Sequence, residues 1–119
     1  MHNFRNLQVW KDSIDLAVEM YKITGAFPVA ERYNLASQLN KSAVSVPSNI
    51  AEGAGRNTIG EFNNFLGIAT GSSYEMETQF IIANRLGFVR EEQFIPIVEK
   101  MHSIQRMTYS LKSSLLNKP

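Results

Sequence analysis

One group of polar side chains in this sequence has residue types and a spacing that could support catalysis. Ser45, Asn49 and Glu52 recur at steps of four and three residues, so on a helix they lie on one face. Such a group can be a nucleophile with acid–base partners, or a structural network in which buried polar groups satisfy one another. Pro47 lies among them and removes a backbone N–H. A structural role in a bent helix is therefore the favoured interpretation, and a small enzyme is the alternative.

A second candidate is the pair Glu99 and His102, which has the Glu-x-x-His spacing of di-iron helix bundles. A di-iron site needs two such pairs and further glutamates, and the only other histidine is His2. The sequence has no cysteine, and it has no Gly-x-Ser-x-Gly elbow for a serine nucleophile. We therefore predict no metal site, no cofactor and no catalytic residue.

Length and composition predict a single cytoplasmic domain. The 119 residues suffice for one hydrophobic core and are too few for two comfortable ones. The absence of cysteine fits a reducing compartment, and the polar first residues do not resemble a signal peptide. No stretch reaches the roughly 18 apolar residues that read as a membrane span. Twelve basic and eleven acidic residues give a net charge of +1, which provides no overall field for nucleic acid.

Positive charge is nevertheless concentrated at the end of the chain, where residues 100–119 include basic side chains and no acid. The favoured interpretation is a solvated helix end that complements the helix dipole. The alternative is a nucleic-acid contact, for which we expect weak binding at physiological salt because affinity grows with the number of cationic contacts. The candidate contacts are Arg5, Lys11, Lys100, Arg106 and Lys112.

Apolar residues at alternating steps of three and four predict four amphipathic helices. Gly25 and Gly87 are placed to end the first and third helices, and Thr58 with Glu61 has the spacing of a capping box. The predicted helices cover about residues 7–24, 30–56, 59–86 and 91–116, within one domain of residues 1–119. Short connections and the lack of a strand pattern predict an all-α, antiparallel up-down-up-down four-helix bundle, with the second helix kinked at Pro47.

The second and third predicted helices form a hairpin about residues 57–60, so residues whose numbers add to about 118 lie opposite each other. This register places Pro47 against Gly71. Glycine inside a helix costs about 1 kcal/mol relative to alanine, so we expect a close backbone approach there as compensation. The same register extends the polar group into a polar seam between the two helices. Its predicted members are Ser45, Asn49, Glu52, Ser72 and Glu75.

The first predicted helix carries two apolar stripes, which is more than burial against the bundle requires. The stripe expected to face the core consists of Leu7, Trp10, Ile14, Ala17 and Tyr21. The stripe expected to face another subunit consists of Leu16, Met20 and Ile23, together with Phe65 and Ile68 of the third helix. Large exposed apolar patches usually mark protein interfaces, so the sequence predicts a homo-oligomer.

Several segments, spread nearly from end to end, resemble a known bacterial family. They are Phe4–Trp10, Phe27–Glu31, Gln38–Ser45, Pro47–Arg56 with its Asn-Ile-Ala-Glu-Gly run, Glu61-Phe62, Ile68–Ser72 and Glu75–Glu77. These segments are similar to the four helix bundle protein family, which is also called the large-subunit ribosomal RNA intervening-sequence protein family.

The resemblance implies a four-helix bundle that assembles as a homopentamer and has no established enzymatic activity. One relative, the accessory protein of diversity-generating retroelements, is a basic pentamer that binds nucleic acid and a reverse transcriptase. This chain differs from that relative in its net charge of only +1. We therefore expect a non-enzymatic, homo-oligomeric scaffold or adaptor, pentameric by resemblance. A nucleic-acid-binding accessory protein is the alternative.

Overall fold

The computed structural model describes residues 2–117, and within them the chain forms a bundle of four α-helices. The helices are α1 (Gln8–Thr24), α2 (Leu35–Ala54), α3 (Ile59–Arg85) and α4 (Glu91–Leu116). Short 3-10 turns at Phe4–Asn6 and Val29–Glu31 precede α1 and α2. Each helix packs against the next one in the chain and α4 returns to α1, which gives a bundle of 50 × 24 × 20 Å. The predicted all-α, up-down-up-down four-helix bundle is confirmed.

The bounds of α1, α3 and α4 lie within one residue of those predicted, but α2 is shorter at both ends. It begins at Leu35 and not near residue 30, because the residues before it form a separate compact turn. In this turn the Asn34 side chain donates to the Ala30 carbonyl at 3.2 Å. The Leu35 N–H donates to the Glu31 carboxylate at 3.4 Å. In a continuous helix the Ala30 carbonyl and the Leu35 N–H would instead form backbone hydrogen bonds. No helix among residues 2–117 combines the length and apolarity needed to cross a membrane.

Local signals explain where α3 begins and ends. At its start Thr58 Oγ1 accepts a hydrogen bond from the Glu61 N–H at 3.1 Å, and the Glu61 carboxylate lies 3.0 Å from the same hydroxyl. At its end Gly87 has a φ of +83°, a conformation that glycine adopts without strain. The Phe88 N–H then reaches back to the Ala83 carbonyl at 2.9 Å, which forms a Schellman motif.

The α1 helix turns a different face to the core from the one predicted. Leu16 and Met20, which were expected to face another subunit, are buried in the core, whereas Tyr21 is exposed. The reason is Ser13, which is buried between Val9 and Leu16 and completes a stripe with steps of four, three and four residues. Its hydroxyl donates to the Trp10 carbonyl at 2.9 Å, so it can be buried like a small apolar residue. Leu7, Trp10, Ile14 and Ile23 are only partly buried.

Candidate functional site

The structure brings three of the five residues of the predicted polar seam together between α2 and α3. Ser45 Oγ and Ser72 Oγ are 2.8 Å apart. The Asn49 side chain donates to Ser45 Oγ at 3.0 Å and to the Ser45 carbonyl at 2.8 Å. The two hydroxyls and the amide therefore satisfy one another, which is the geometry of a structural network that links two helices.

Glu75 belongs to a second polar group beside the seam, which is centred on the buried Ser42. Ser42 Oγ lies 2.8 Å from Gln79 Oε1 and 3.3 Å from Glu75 Oε1, and it also lies 3.0 Å from the Gln38 carbonyl. The Ser42 hydroxyl has one proton, which it can donate to only one of these three acceptors at a time. The sequence analysis missed Ser42, although it stands three residues before Ser45 on the same helical face.

Glu52 lies outside the seam, and its predicted place there was wrong. Its side chain is 56% exposed and pairs with the Arg56 guanidinium at 2.9 Å. Glu52 is in the last turn of α2, where a long side chain can reach solvent and a cation four residues later is a helix-surface neighbour. The Ser45, Asn49 and Ser72 network therefore does not include the carboxylate that the enzyme alternative requires.

The close approach between α2 and α3 occurs at Gly53 and not at Gly71. A Cβ atom added to Gly53 would lie 2.7 Å from Phe65 Cβ and 3.2 Å from the Phe62 carbonyl oxygen. A Cβ atom added to Gly71, which is exposed, would meet no atom of residues 2–117 within 4 Å. The predicted close contact at Gly71 was therefore wrong, since this glycine faces away from α2. The register itself holds, because the numbers of Gly53 and Phe65 add to 118.

An open apolar groove of about 650 Å³ runs along the outside of α1 and α2. We call it the α1–α2 groove. Its apolar lining consists of Phe4, Trp10, Ile14, Ala17, Val18, Tyr21, Val44, Pro47 and Ala51. The Trp10 ring packs edge-on against Phe4 with ring centroids 5.1 Å apart. Much of the stripe that was predicted to face the core therefore lines this outer surface instead.

A polar cluster links α3 to α4. His102 Nε2 lies 2.8 Å from Glu77 Oε2, and the Gln105 amide donates to Glu77 Oε1 at 2.9 Å. Burial raises the pKa of the Glu77 carboxyl, but the hydrogen bonds from Gln105 and His102 and the charge of His102 outweigh it, so this pKa lies below its ordinary value. The histidine thus pairs with Glu77 and not with Glu99. Within residues 2–117 no cluster of three or more His, Asp or Glu could hold a metal ion.

An open concavity of about 560 Å³ lies beside this cluster, on the outside of α3 and α4. We call it the tyrosine concavity. Its lining consists of Tyr74, His102, Gln105, Arg106, Tyr109 and Ser110. Tyr74 is 56% exposed and Tyr109 is 73% exposed. Sequence reasoning did not single out these tyrosines, because their association requires the register between α3 and α4.

The structure spreads the five candidate nucleic-acid contacts over different surfaces. Arg5 and Lys11 lie at the beginning of the chain, before and within the first turn of α1. Lys100 forms an ion pair with a carboxylate of α1. Arg106 borders the tyrosine concavity, and Lys112 reaches α3 farther along α4. Only Arg106 and Lys112 therefore lie on the side of α4 that borders α3.

The model of a protein family, the 23S rRNA-intervening sequence protein, matches residues 5–110. The chain belongs to the 23S rRNA-intervening sequence protein family. The match runs from the first 3-10 turn far into α4, and it confirms the resemblance found in the sequence. The search of curated proteins found no match to this chain.

A solved structure shares the fold of this chain. It is the crystal structure, at 1.70 Å resolution, of a protein of unknown function from the S23 ribosomal protein family of Bacteroides thetaiotaomicron. The TM-score is 0.82 at 22% sequence identity, and the alignment covers 88% of this chain and 95% of the other. At this identity the likeness supports the bundle architecture alone.

Proposed function

We propose that this protein is a non-enzymatic, homo-oligomeric scaffold or adaptor whose subunits associate through the α1–α2 groove. The observation that carries the proposal is the exposure of apolar side chains along the groove. Val18 is 51% exposed, Tyr21 54% and Val44 40%. Contiguous apolar surface is uncommon on monomers and usually marks a binding surface.

The composition of the groove is that of an interface centre. Two of its aromatic side chains, Trp10 and Tyr21, are of the types that dominate binding energy at protein interfaces. Among the residues of the described range 2–117 that line the groove, Lys22 is the only charged one, and charged residues are depleted at interface centres. The lining on α1 extends from Trp10 to Lys22, a distance of about 18 Å at the rise of an α-helix. This length accommodates about three turns of a helix from a neighbouring subunit.

The shape of the groove favours a ring over a symmetric dimer. Two concave surfaces cannot fill each other, so the groove must receive a different, convex surface of the next subunit. Contacts between unlike surfaces close into rings when the rotation between subunits permits. The family resemblance provides the number of five subunits.

Light scattering on the purified protein tests the proposal. Subunits of 13.4 kDa predict about 67 kDa for a pentamer. The variant Val44→Glu places a charge on the groove at a partly exposed position, so we expect a folded subunit with a mass near 13.4 kDa. The control Val29→Glu changes a 77% exposed side chain in the turn before α2 and should keep the parent mass.

Circular dichroism of both variants checks that they remain helical. A parent mass near 13.4 kDa would exclude the oligomer. A parent oligomer that Val44→Glu leaves intact would instead place the interface elsewhere on the subunit.

A further inference from the structure

We propose that the tyrosine concavity binds a nucleotide unit, with the base against its aromatic side chains and the phosphate on Arg106. This inference does not depend on the proposed assembly, because the concavity lies on α3 and α4 and the groove lies on α1 and α2.

The first support is the pair of exposed tyrosines. Tyr74 on α3 and Tyr109 on α4 line one concavity, although each is more than half exposed. Neither ring is needed to fill the core, whose aromatic contact between the same helices is the stacked pair Phe80 and Phe94. Stacking of a base on an aromatic ring contributes about 1–3 kcal/mol. The concavity therefore provides the planar apolar contact that a base requires.

The second support is the chemistry of the remaining lining. Arg106, His102, Gln105 and Ser110 all carry N–H or O–H groups, and no carboxylate of residues 2–117 lines the concavity. Within residues 2–117 Arg106 takes part in none of the salt bridges. The planar guanidinium matches the oxygens of a phosphate group in two parallel hydrogen bonds. The ligand that fits best is therefore flat at one end and anionic at the other.

The third support is that two polar side chains of the concavity, His102 and Gln105, are held in place by hydrogen bonds. Glu77 accepts hydrogen bonds from His102 and Gln105, which holds these two side chains between α3 and α4. Because the pKa of the Glu77 carboxyl is lowered, this carboxylate stays ionised at neutral pH and remains an acceptor for both side chains. The Glu77 carboxylate is thus engaged by two donors and is not part of the lining of the concavity, whereas Arg106 is.

The volume and surroundings fit one nucleotide with room for a strand to continue. The concavity of about 560 Å³ lies within the range of roughly 300–1,000 Å³ that small-ligand sites occupy. Lys112 follows Arg106 by six residues on α4, which is about 9 Å along the helix axis. The Lys112 ammonium lies on the α3 side, 3.6 Å from where a Cβ atom on Gly67 would stand, and Gly67 is on the same face of α3 as Tyr74, seven residues before it. A strand that leaves the concavity between α3 and α4 therefore passes a second cation, whereas a free mononucleotide meets only the first.

Fluorescence anisotropy with a short labelled single-stranded oligonucleotide at low salt tests the site. We expect Tyr109→Ala to weaken binding at least 5-fold, the lower limit for loss of one stacked base. Arg106→Gln should also weaken binding, and it should reduce the slope of log affinity against log salt by about one. The matched controls Tyr33→Ala and Arg32→Gln alter exposed residues of the same types near the start of α2 and should bind like the parent.

Titration of adenosine monophosphate, followed by NMR, distinguishes the two sources of the nucleotide. Tighter binding of the strand, lost further in Lys112→Gln, assigns the site to single-stranded nucleic acid. Equal binding of the mononucleotide, with no competition from inorganic phosphate alone, assigns it to a free nucleotide. The proposal is overturned if neither ligand binds the parent, or if the Tyr109 and Arg106 variants bind as the controls do. Circular dichroism of each variant excludes unfolding as the cause of a loss.

Discussion

Gly53 and Gly71 lie on facing helices, yet their surroundings predict opposite effects of substitution. A Cβ atom at Gly53 would overlap Phe65 Cβ at 2.7 Å, whereas one at Gly71 would have no neighbour within 4 Å in the described part of the chain. Glycine is the less favourable residue in both helices by about 1 kcal/mol relative to alanine. The close contact with Phe65 explains why position 53 is a glycine, but no contact of this kind within the subunit explains the glycine at position 71.

We predict that Gly53→Ala destabilises the protein by about 1–3 kcal/mol, because overpacking between two helices forces them apart. Gly71→Ala serves as the matched control and should stabilise the subunit by about 1 kcal/mol. Urea denaturation midpoints of the two variants and the parent measure both effects. Similar midpoints for the two variants would show that the contact at Gly53 is not tight.

Spacing in the sequence predicts which residues share a helical face, and the hairpin register predicts which faces meet. This was enough to place Ser45 opposite Ser72, whose hydroxyls lie 2.8 Å apart. It was not enough for Gly71 or Glu52, because spacing does not show how far a position lies from the neighbouring helix. Gly71 faces outward, and Glu52 uses its length to reach Arg56 in solvent.

At the scale of elements, apolar periodicity and the signals at the helix ends predicted the four helices. They did not predict which face of α1 is buried. Both stripes of α1 satisfy the same helical period, so the period cannot decide which one is buried. The buried Ser13 completes the stripe that faces the core, but a serine is not counted as apolar in such a pattern. The turn before α2 was also missed, because its side-chain bonds at Glu31 and Asn34 depend on local geometry.

The link between α3 and α4 predicts a dependence of stability on pH. The folded-state pKa of Glu77 lies below its ordinary value of 4.5. The stabilisation from this carboxylate is therefore complete above the ordinary value and is lost as the pH falls through the lower, folded-state value. We predict that the free energy of unfolding decreases over this acidic range, and that Glu77→Gln makes the decrease smaller.

Urea denaturation at neutral pH and at several values below pH 4.5 measures this effect. Glu99→Gln is the control, since Glu99 is exposed on the same helix as His102 and is not its partner. An equal pH dependence in Glu77→Gln and the parent would mean that the Glu77 cluster does not stabilise the fold.

At the scale of the whole molecule, association through the α1–α2 groove predicts that thermal stability depends on protein concentration. Binding that occurs only between folded subunits raises the melting temperature by mass action. We therefore expect the Tm of the parent to rise with concentration and the Tm of Val44→Glu to stay constant. Calorimetry at widely separated concentrations gives both values. A parent Tm that does not change with concentration would contradict an assembly coupled to folding.

The four-helix architecture was predictable because every connection is short and each helix has a polar side, which leaves few ways to bury the apolar stripes. Neither candidate surface could be predicted in the same way. The groove consists of side chains such as Trp10 and Val44 that come from two helices, and the concavity combines Tyr74 with Tyr109. Each depends on how far the helices are rotated about their own axes, which apolar spacing leaves open.

The place of Trp10 has a spectroscopic consequence. It is the single tryptophan of the chain, and it lies half-buried at the edge of the α1–α2 groove, against Phe4. Indole emission shifts to shorter wavelength when water leaves its surroundings. The tryptophan fluorescence of this protein therefore reports the hydration of the α1–α2 groove. Whatever comes to cover that surface can be followed optically, without a label and without altering the chain.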